Sequence, residues 1–91
     1  MSFADKTTEQ FYTTGRSKKI PAEIISRAEK RLHQLDMAVL IDDIRNPPSN
    51  RLEALLGSRK GQWSVRINNQ WRLCFRFENN NAWDVEITDY H

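Results

Sequence analysis

The sequence predicts an α+β fold in which two N-terminal helices pack on one face of a small, mainly antiparallel sheet. Two observations carry this prediction: apolar residues recur at helical spacing in the first half of the chain, and they alternate with polar residues in the second half. The 91 residues fall within the size range of one domain. We therefore expect a single domain over 1–91, with a helical half at about 5–45 and a β-meander at about 51–91.

Two helices are predicted before residue 40. Asp5 is a good N-cap for a short helix through Tyr12, and Gly15 suits the left-handed position that follows a helix. A longer helix is predicted to begin at Pro21, because a proline sacrifices no hydrogen bond in the first turn. Its apolar stripe is typical of a helix that packs on a sheet. The stripe consists of Ile24, Ala28, Leu32 and Leu35.

The first few residues and the end of the helical half are predicted to be irregular. A short strand is possible around Phe3, and a second helical turn at Val39–Ile44. Pro47 and Pro48 are expected to end the helical half and to impose extended backbone on the residues that follow, through Asn50.

Three segments with a period of two predict an antiparallel meander. They begin at Trp63, Trp71 and Trp83, and asparagine-rich turns separate them. In each segment the tryptophan and every second residue after it are apolar, so we expect all three tryptophans on the face that meets the long helix.

The length of the first asparagine-rich turn decides which residues share a face. A two-residue loop at Asn68-Asn69 pairs Ile67 with Gln70 and places the apolar rows on opposite faces. A three-residue loop pairs Ile67 with Trp71 and places them on one face, which is the arrangement we favour, because a slip of one residue exposes a whole apolar row. The opposite face is then polar, largely basic and open. It carries Ser64, Arg66, Arg72, Cys74 and Arg76, with Asp84 and Glu86 towards one edge.

The net charge is only +2, so the positions of the charged residues are a better indication of binding partners than their sum. Basic residues cluster in the segment 51–76, where Glu53 is the only acid, so a local basic surface is expected. The basic residues are Arg51, Arg59, Lys60, Arg66, Arg72 and Arg76.

Composition also excludes several classes of protein. The single cysteine, Cys74, rules out an internal disulfide, and together with two histidines far apart in sequence it predicts no metal site and no cofactor. The chain has no glycine-rich phosphate loop and no run of about 18 apolar residues that would span a membrane. The N-terminus lacks the pattern of a secretion signal, so we expect a cytoplasmic protein.

The chain ends in a carboxylate, a phenol and an imidazole: Asp89, Tyr90 and His91. One interpretation is an ordered tail that caps the sheet. The other is general acid–base chemistry beside a basic face. Cleavage of RNA by its own 2′-hydroxyl needs a base, an acid and cations around the phosphate, and arginines supply the cations without a metal.

Several motifs together resemble the HigB-type toxins of bacterial toxin–antitoxin pairs. They are Arg51-Leu52-Glu53-Ala54-Leu55, Gly57, Gly61, Ser64-Val65-Arg66, Asn68, Gln70-Trp71-Arg72, Phe75 and the terminal Asp89-Tyr90-His91. The resemblance covers nearly the full length. It implies the RelE/ParE-like toxin fold, cleavage of messenger RNA in the translating ribosome, and neutralisation by a HigA-type helix-turn-helix antitoxin, with operator DNA reached only through that antitoxin.

The resemblance also implies roles for matched residues. Arg72 would hold the scissile phosphate, Asp89, Tyr90 and His91 would form the acid–base and positioning group, and Glu53 is a further candidate base. The remaining basic residues would grip RNA or ribosomal phosphates: Arg51, Arg59, Lys60, Arg66 and Arg76. Some family members carry histidine at the position of Glu53 and lysine at that of Leu56, so the division of acid and base stays open.

Two other functions remain as alternatives at this point. Related folds include toxins that block DNA gyrase, so the basic face could bind a macromolecule without cleaving it. The departures at Glu53 and Leu56 would also fit a degenerate toxin that acts only as an antitoxin-binding regulator.

Overall fold

The computed structural model describes residues 1–90 and has the predicted α+β architecture. The regular elements are α1 (Lys6–Thr14), α2 (Ile25–Met37), β1 (Glu53–Ala54), β2 (Trp63–Arg66), β3 (Trp71–Glu78) and β4 (Asn81–Asp89). The four strands form one antiparallel sheet in the order β1-β2-β3-β4. The predicted meander is therefore confirmed, and β1 is a short additional strand that the sequence pattern did not indicate.

The ends of α1 are those that the sequence predicts. The Asp5 carboxylate accepts a hydrogen bond from the backbone N–H of Thr8 at 2.9 Å. Gly15 adopts a left-handed conformation with φ of 73°, and its N–H donates to the Phe11 carbonyl at 2.8 Å. A non-glycine residue adopts this conformation only with strain, so Gly15 ends the helix.

The segments around α2 differ in detail from the prediction. Pro21 leads into a short 3-10 turn, Ala22–Ile24, and the α-helix itself begins at Ile25. The stretch after Pro47 is a 3-10 turn, Pro48–Asn50, rather than extended backbone. Its fold follows from Asn50, which is fully buried and whose side-chain amide donates to the Ile44 carbonyl at 3.0 Å.

The register of the first hairpin is the one that the apolar pattern favours. Val65 pairs with Leu73 and Arg66 with Arg72, and the Ile67 N–H donates to the Trp71 carbonyl at 2.9 Å. The loop therefore has three residues. The Asn68 side chain stabilises it by accepting hydrogen bonds from the backbone N–H groups of Gln70 and Trp71, both at 2.8 Å.

The expectation that Trp83 belongs to the core face is wrong. The β3–β4 register shifts between Cys74 and Arg76, and Asp84 has a left-handed φ of 53°. This irregularity inserts one extra residue into β4 and interrupts the alternation of side chains. Ala82 and Val85 are consequently buried, whereas Trp83 pairs with Arg76 and is 38% exposed.

The core contains buried residues of both helices and of one sheet face, which we call the core face. The helices and the 3-10 turn before α2 contribute Phe11, Ile24, Ala28, Leu32 and Leu35, and the strands contribute Leu73, Phe75, Ala82, Val85 and Ile87, with Val65 and the adjacent Ile67. Near the chain start, where a short strand was expected, Phe3 forms only an isolated parallel bridge with Val85. This segment lies along β4, so it covers an otherwise unpaired sheet edge.

Thr8 also binds the edge of β4. It is fully buried, and its hydroxyl accepts a hydrogen bond from the backbone N–H of Ile87 at 3.0 Å. We expect Thr8→Val, which keeps the side-chain shape, to lower the free energy of unfolding by about 1–3 kcal/mol because it leaves a buried donor without a partner. Denaturant unfolding measures this effect. Thr7→Val is the matched control on the same helix, and an equal loss in both variants would contradict the assignment.

Candidate active site

The sheet face opposite the core face carries three arginines of β2 and β3, and we call it the polar face. Strand pairing places together on it the residues that face each other across the ladder. They are Glu53 on β1, Ser64 and Arg66 on β2, Arg72, Cys74 and Arg76 on β3, and Trp83, Glu86 and Thr88 on β4.

Arg72 lies near the centre of this face, and several contacts fix its guanidinium group. Nε donates to the Ser64 hydroxyl at 2.8 Å, and Nη2 donates to the Arg51 carbonyl at 2.7 Å. The side chain is only 12% exposed. Within residues 1–90, the hydrogen bonds that hold Arg72 use Nε and Nη2 rather than Nη1. A guanidinium held in this way is preorganised to bind an oxyanion.

Two groups capable of proton transfer flank Arg72. The Tyr90 ring centroid lies 5.8 Å from the Arg72 Cζ atom, within the range of a cation–π contact, and Tyr90 is 43% exposed. On the other side, a Glu53 carboxylate oxygen lies 3.9 Å from Nη2 of Arg72, and its side chain is 59% exposed. This ion pair is long and open to water, so it contributes little to stability and can give way to an anion.

The structure does not bring Asp89 to the same face as Arg72. Asp89 pairs with Trp71, a neighbour of Arg72 on β3, and alternate residues of a strand point to opposite faces. The Asp89 carboxylate accepts a hydrogen bond from the Gln70 side chain at 3.1 Å. Tyr90 and Glu53 therefore lie beside Arg72 and Asp89 does not, and His91, the imidazole expected to meet the arginines, lies outside the described residues.

The other predicted basic residues spread over the polar face and its rim. Arg59 forms an ion pair with Glu86 at 3.3 Å, and Arg76 one with Asp84 at 3.6 Å. Arg66 is hydrogen-bonded to the Asn69 side chain and is the cross-strand partner of Arg72. Arg51 and Lys60 are exposed. The backbone carbonyl of Arg51 accepts a hydrogen bond from the Arg72 guanidinium group.

Gly61 lies close to the guanidinium group of Arg76. Gly61 has φ of 95°, and a Cβ atom placed there would lie 2.8 Å from Nη1 of Arg76. A larger residue at this position is strained by its backbone and meets the guanidinium group. Gly61 thus permits the turn before β2 to pass close to Arg76.

The polar face is less open than the sequence suggested. Ser64 and Cys74 are both fully buried. Ser64 is bound by Arg72. Cys74 lies among Arg59, Glu86, Arg72 and Thr88, and burial raises the pKa of its thiol, which outweighs the opposing effects of the Thr88 hydrogen bond and of the arginines.

We expect Cys74 to be unreactive while the chain is folded. The thiolate is the reactive form, and a raised pKa keeps the thiol protonated at neutral pH. Modification by a thiol reagent at pH 7–8 should therefore be much slower in buffer than in guanidinium chloride. A Ser58→Cys variant in a Cys74→Ala background is the exposed control, and rapid stoichiometric modification of folded parent protein would contradict this expectation.

Residues 1–90 hold neither a metal-binding cluster nor a membrane-spanning helix. No group of three or more His, Cys, Asp or Glu side chains in this range is arranged to hold a metal ion. No helix in the same range has the length and apolar character required to cross a bilayer.

The fold is similar to that of a solved structure. A chain of the YoeB-YefM complex from Staphylococcus aureus matches 99% of this chain over 93% of its own length, with a TM-score of 0.64 and 19% identity. At this identity the likeness establishes the fold alone.

Sequence comparisons establish the family. The family model for the RelE-like toxin HigB of type II toxin–antitoxin systems matches residues 1–91. Toxin HigB-1 of Vibrio cholerae is 42% identical over 78 residues, covering 85% of this chain and 82% of that protein. Endoribonuclease HigB of Proteus vulgaris is 32% identical over 90 residues, covering 99% and 97%. The chain belongs to the HigB-like toxin family, as its sequence motifs indicate.

Proposed function

We propose that this toxin is a ribosome-dependent endoribonuclease that cleaves messenger RNA and so inhibits translation. The relative from Proteus vulgaris carries the name of an endoribonuclease. The single observation that carries the proposal is the Arg72 guanidinium, fixed by Ser64 and Arg51 between a phenol and a carboxylate. In this proposal the chain 1–91 forms one toxin domain, whose helices cover the core face and leave the polar face to RNA.

The proposed reaction is an attack by the 2′-hydroxyl of the RNA on the adjacent phosphorus atom. A base removes the 2′ proton, the 2′-oxygen–phosphorus bond forms, and the bond to the 5′ oxygen breaks as an acid protonates that oxygen. Arg72 stabilises the negative charge that develops on the phosphate oxygens. The reaction needs no metal ion because guanidinium supplies the positive charge.

Proton transfer in this scheme falls to residues near Arg72 and to the chain end. Tyr90 and Glu53 lie on either side of the Arg72 guanidinium, so each is within reach of a phosphate bound there. His91 follows Tyr90 directly in sequence and is the third candidate. Asp89 faces the other side of the sheet, so its proposed role is to position the chain end rather than to contact the phosphate.

The remaining basic residues are proposed to bind RNA or ribosomal phosphates. Arg51, Lys60 and Arg66 surround Arg72 on the polar face or its rim. Arg59 and Arg76 are paired with carboxylates, so they would exchange these partly exposed partners for phosphates, which costs little.

The proposed partners follow from family membership. We propose that a HigA-type helix-turn-helix antitoxin neutralises the toxin, that the ribosome and messenger RNA are its targets, and that operator DNA is reached only through the antitoxin. These targets place the toxin in the cytoplasm.

Mapping RNA 5′ ends after induction of the toxin tests the proposal. New 5′ ends at fixed positions within codons are expected, and they should disappear when translation initiation is blocked beforehand. Intact transcripts accompanied by DNA damage would instead indicate a gyrase-blocking toxin. Normal growth with intact RNA and DNA would indicate a degenerate toxin that serves only to bind the antitoxin.

A further inference from the structure

A cleft of about 350 Å³ lies where α2 meets the edge of the sheet beside β2. Its lining residues are Arg27, Arg31, Ser49, Arg66 and Ile67. β1 pairs with β2 only at Trp63 and Ser64, so on the side away from β3 the following residues of β2 have no partner strand among the described residues. Arg31 occupies this edge, because its Nε donates to the Arg66 carbonyl at 2.9 Å. The hydrogen bond fixes a guanidinium group at the mouth of the cleft.

The charges in this cleft are of one sign. Three arginine side chains line it, and none of the residues that line it is acidic. Arg27 and Arg31 are four residues apart on α2, where like charges repel each other. Partial burial and the nearby Arg27 both lower the pKa of Arg31. An anion in the cleft would relieve this repulsion, and the guanidinium groups offer the planar donor pairs that match a phosphate.

We propose that Arg27, Arg31 and Arg66 form a second anion site, which binds a backbone phosphate of RNA at the edge of β2. The inference rests on the proposed function. Its ligand is RNA because Arg66 joins the two sites: its backbone carbonyl holds Arg31, and across the strand pair it faces Arg72. An RNA strand or a ribosomal RNA segment on the polar face can therefore continue round the sheet edge onto α2.

The structure identifies Arg27 as the residue to change. Arg31 also holds the backbone of β2, and Arg66 belongs to the proposed RNA-binding face, so variants of either would have mixed effects. Arg27 is exposed and Lys30, three residues further along α2, is exposed and lies outside the cleft. Arg27→Gln and Lys30→Gln remove the same charge from the same helix, so they differ only in whether they reach the cleft.

The experiment measures binding of each variant at several salt concentrations to two probes. One probe is a single-stranded RNA with 2′-O-methyl groups, which cannot be cleaved through its own 2′ oxygen, and the other is the purified 70S ribosome. We expect Arg27→Gln to weaken binding to at least one probe roughly tenfold and to lower the slope of log affinity against log salt by about 0.7. Lys30→Gln should bind as the parent does.

The two probes distinguish the source of the phosphate. A loss on the free strand assigns it to the strand that is cleaved, and a loss on the ribosome alone assigns it to ribosomal RNA. Equal effects of the two variants, or none, overturn the second site. If Arg72→Ala still abolishes cleavage in that case, the proposed nuclease function stands without the second anion site. A parent protein that binds neither probe and cleaves no RNA overturns the proposed function itself.

Discussion

Replacement of Arg72 by alanine is expected to lower the rate of RNA cleavage on ribosomes by at least about 100-fold, the usual effect of removing one preorganised donor from a charge-stabilising site. Arg72 is the only arginine of the polar face whose guanidinium is held by a buried hydroxyl and a backbone carbonyl within the described residues. Single-turnover cleavage of a defined messenger RNA on purified ribosomes measures the effect.

The control must separate catalysis from folding. Arg72→Ala also removes hydrogen bonds to Ser64 and Arg51, so thermal unfolding is measured alongside cleavage. Arg72→Lys keeps the positive charge but loses the planar pair of donors, and we expect it to recover only part of the rate. Arg45→Ala, at an exposed ion pair with Asp42, should leave cleavage unchanged. A folded Arg72→Ala protein with parental activity would contradict the mechanism.

The register of the sheet could be predicted because burial determines it. With a period of two, a slip of one residue moves a whole apolar row from the core face to the polar face. The pairing of Val65 with Leu73 therefore followed from the positions of apolar residues alone. The Asn68 side chain adds a local reason for the three-residue loop, since it binds two backbone N–H groups of that loop.

The position of Trp83 could not be predicted in the same way. The pattern of β4 appears continuous from Trp83 onwards, and the irregularity arises from a single residue, Asp84, in the left-handed region. Aspartate tolerates this conformation but does not require it. Only the pairing with β3 reveals the extra residue in β4, because the register between the two strands changes on either side of Phe75.

The candidate site was predictable in part. Its centre, Arg72, and its flanking residues Tyr90 and Glu53 were named from motifs in the sequence. The separation of Asp89 from Tyr90 follows from strand alternation, which already implies that adjacent residues face opposite ways. Ser64 and the Arg51 carbonyl could not be identified, because contacts between residues 51, 64 and 72 depend on tertiary packing rather than on spacing.

Replacement of Phe75 by alanine is expected to lower the free energy of unfolding by about 3–5 kcal/mol, the usual cost of removing a buried aromatic ring. Phe75 is fully buried, it pairs with Trp63 on β2, and it lies at the register shift of β4. Domains of this size have a total stability of only about 5–15 kcal/mol. The melting temperature should therefore fall by more than about 12 °C, which calorimetry measures.

Phe77→Ala is the matched control, because Phe77 lies two residues along the same strand and is only partly buried. Equal destabilisation by the two substitutions would contradict the central role of Phe75 in the core. Phe75→Ala should also lose toxicity, but through unfolding. Binding to the folded state stabilises a protein by mass action, so lower temperature or a ligand that binds the folded toxin should restore folding and cleavage to Phe75→Ala. Neither treatment should restore cleavage to Arg72→Ala, because that variant lacks the cation rather than the fold.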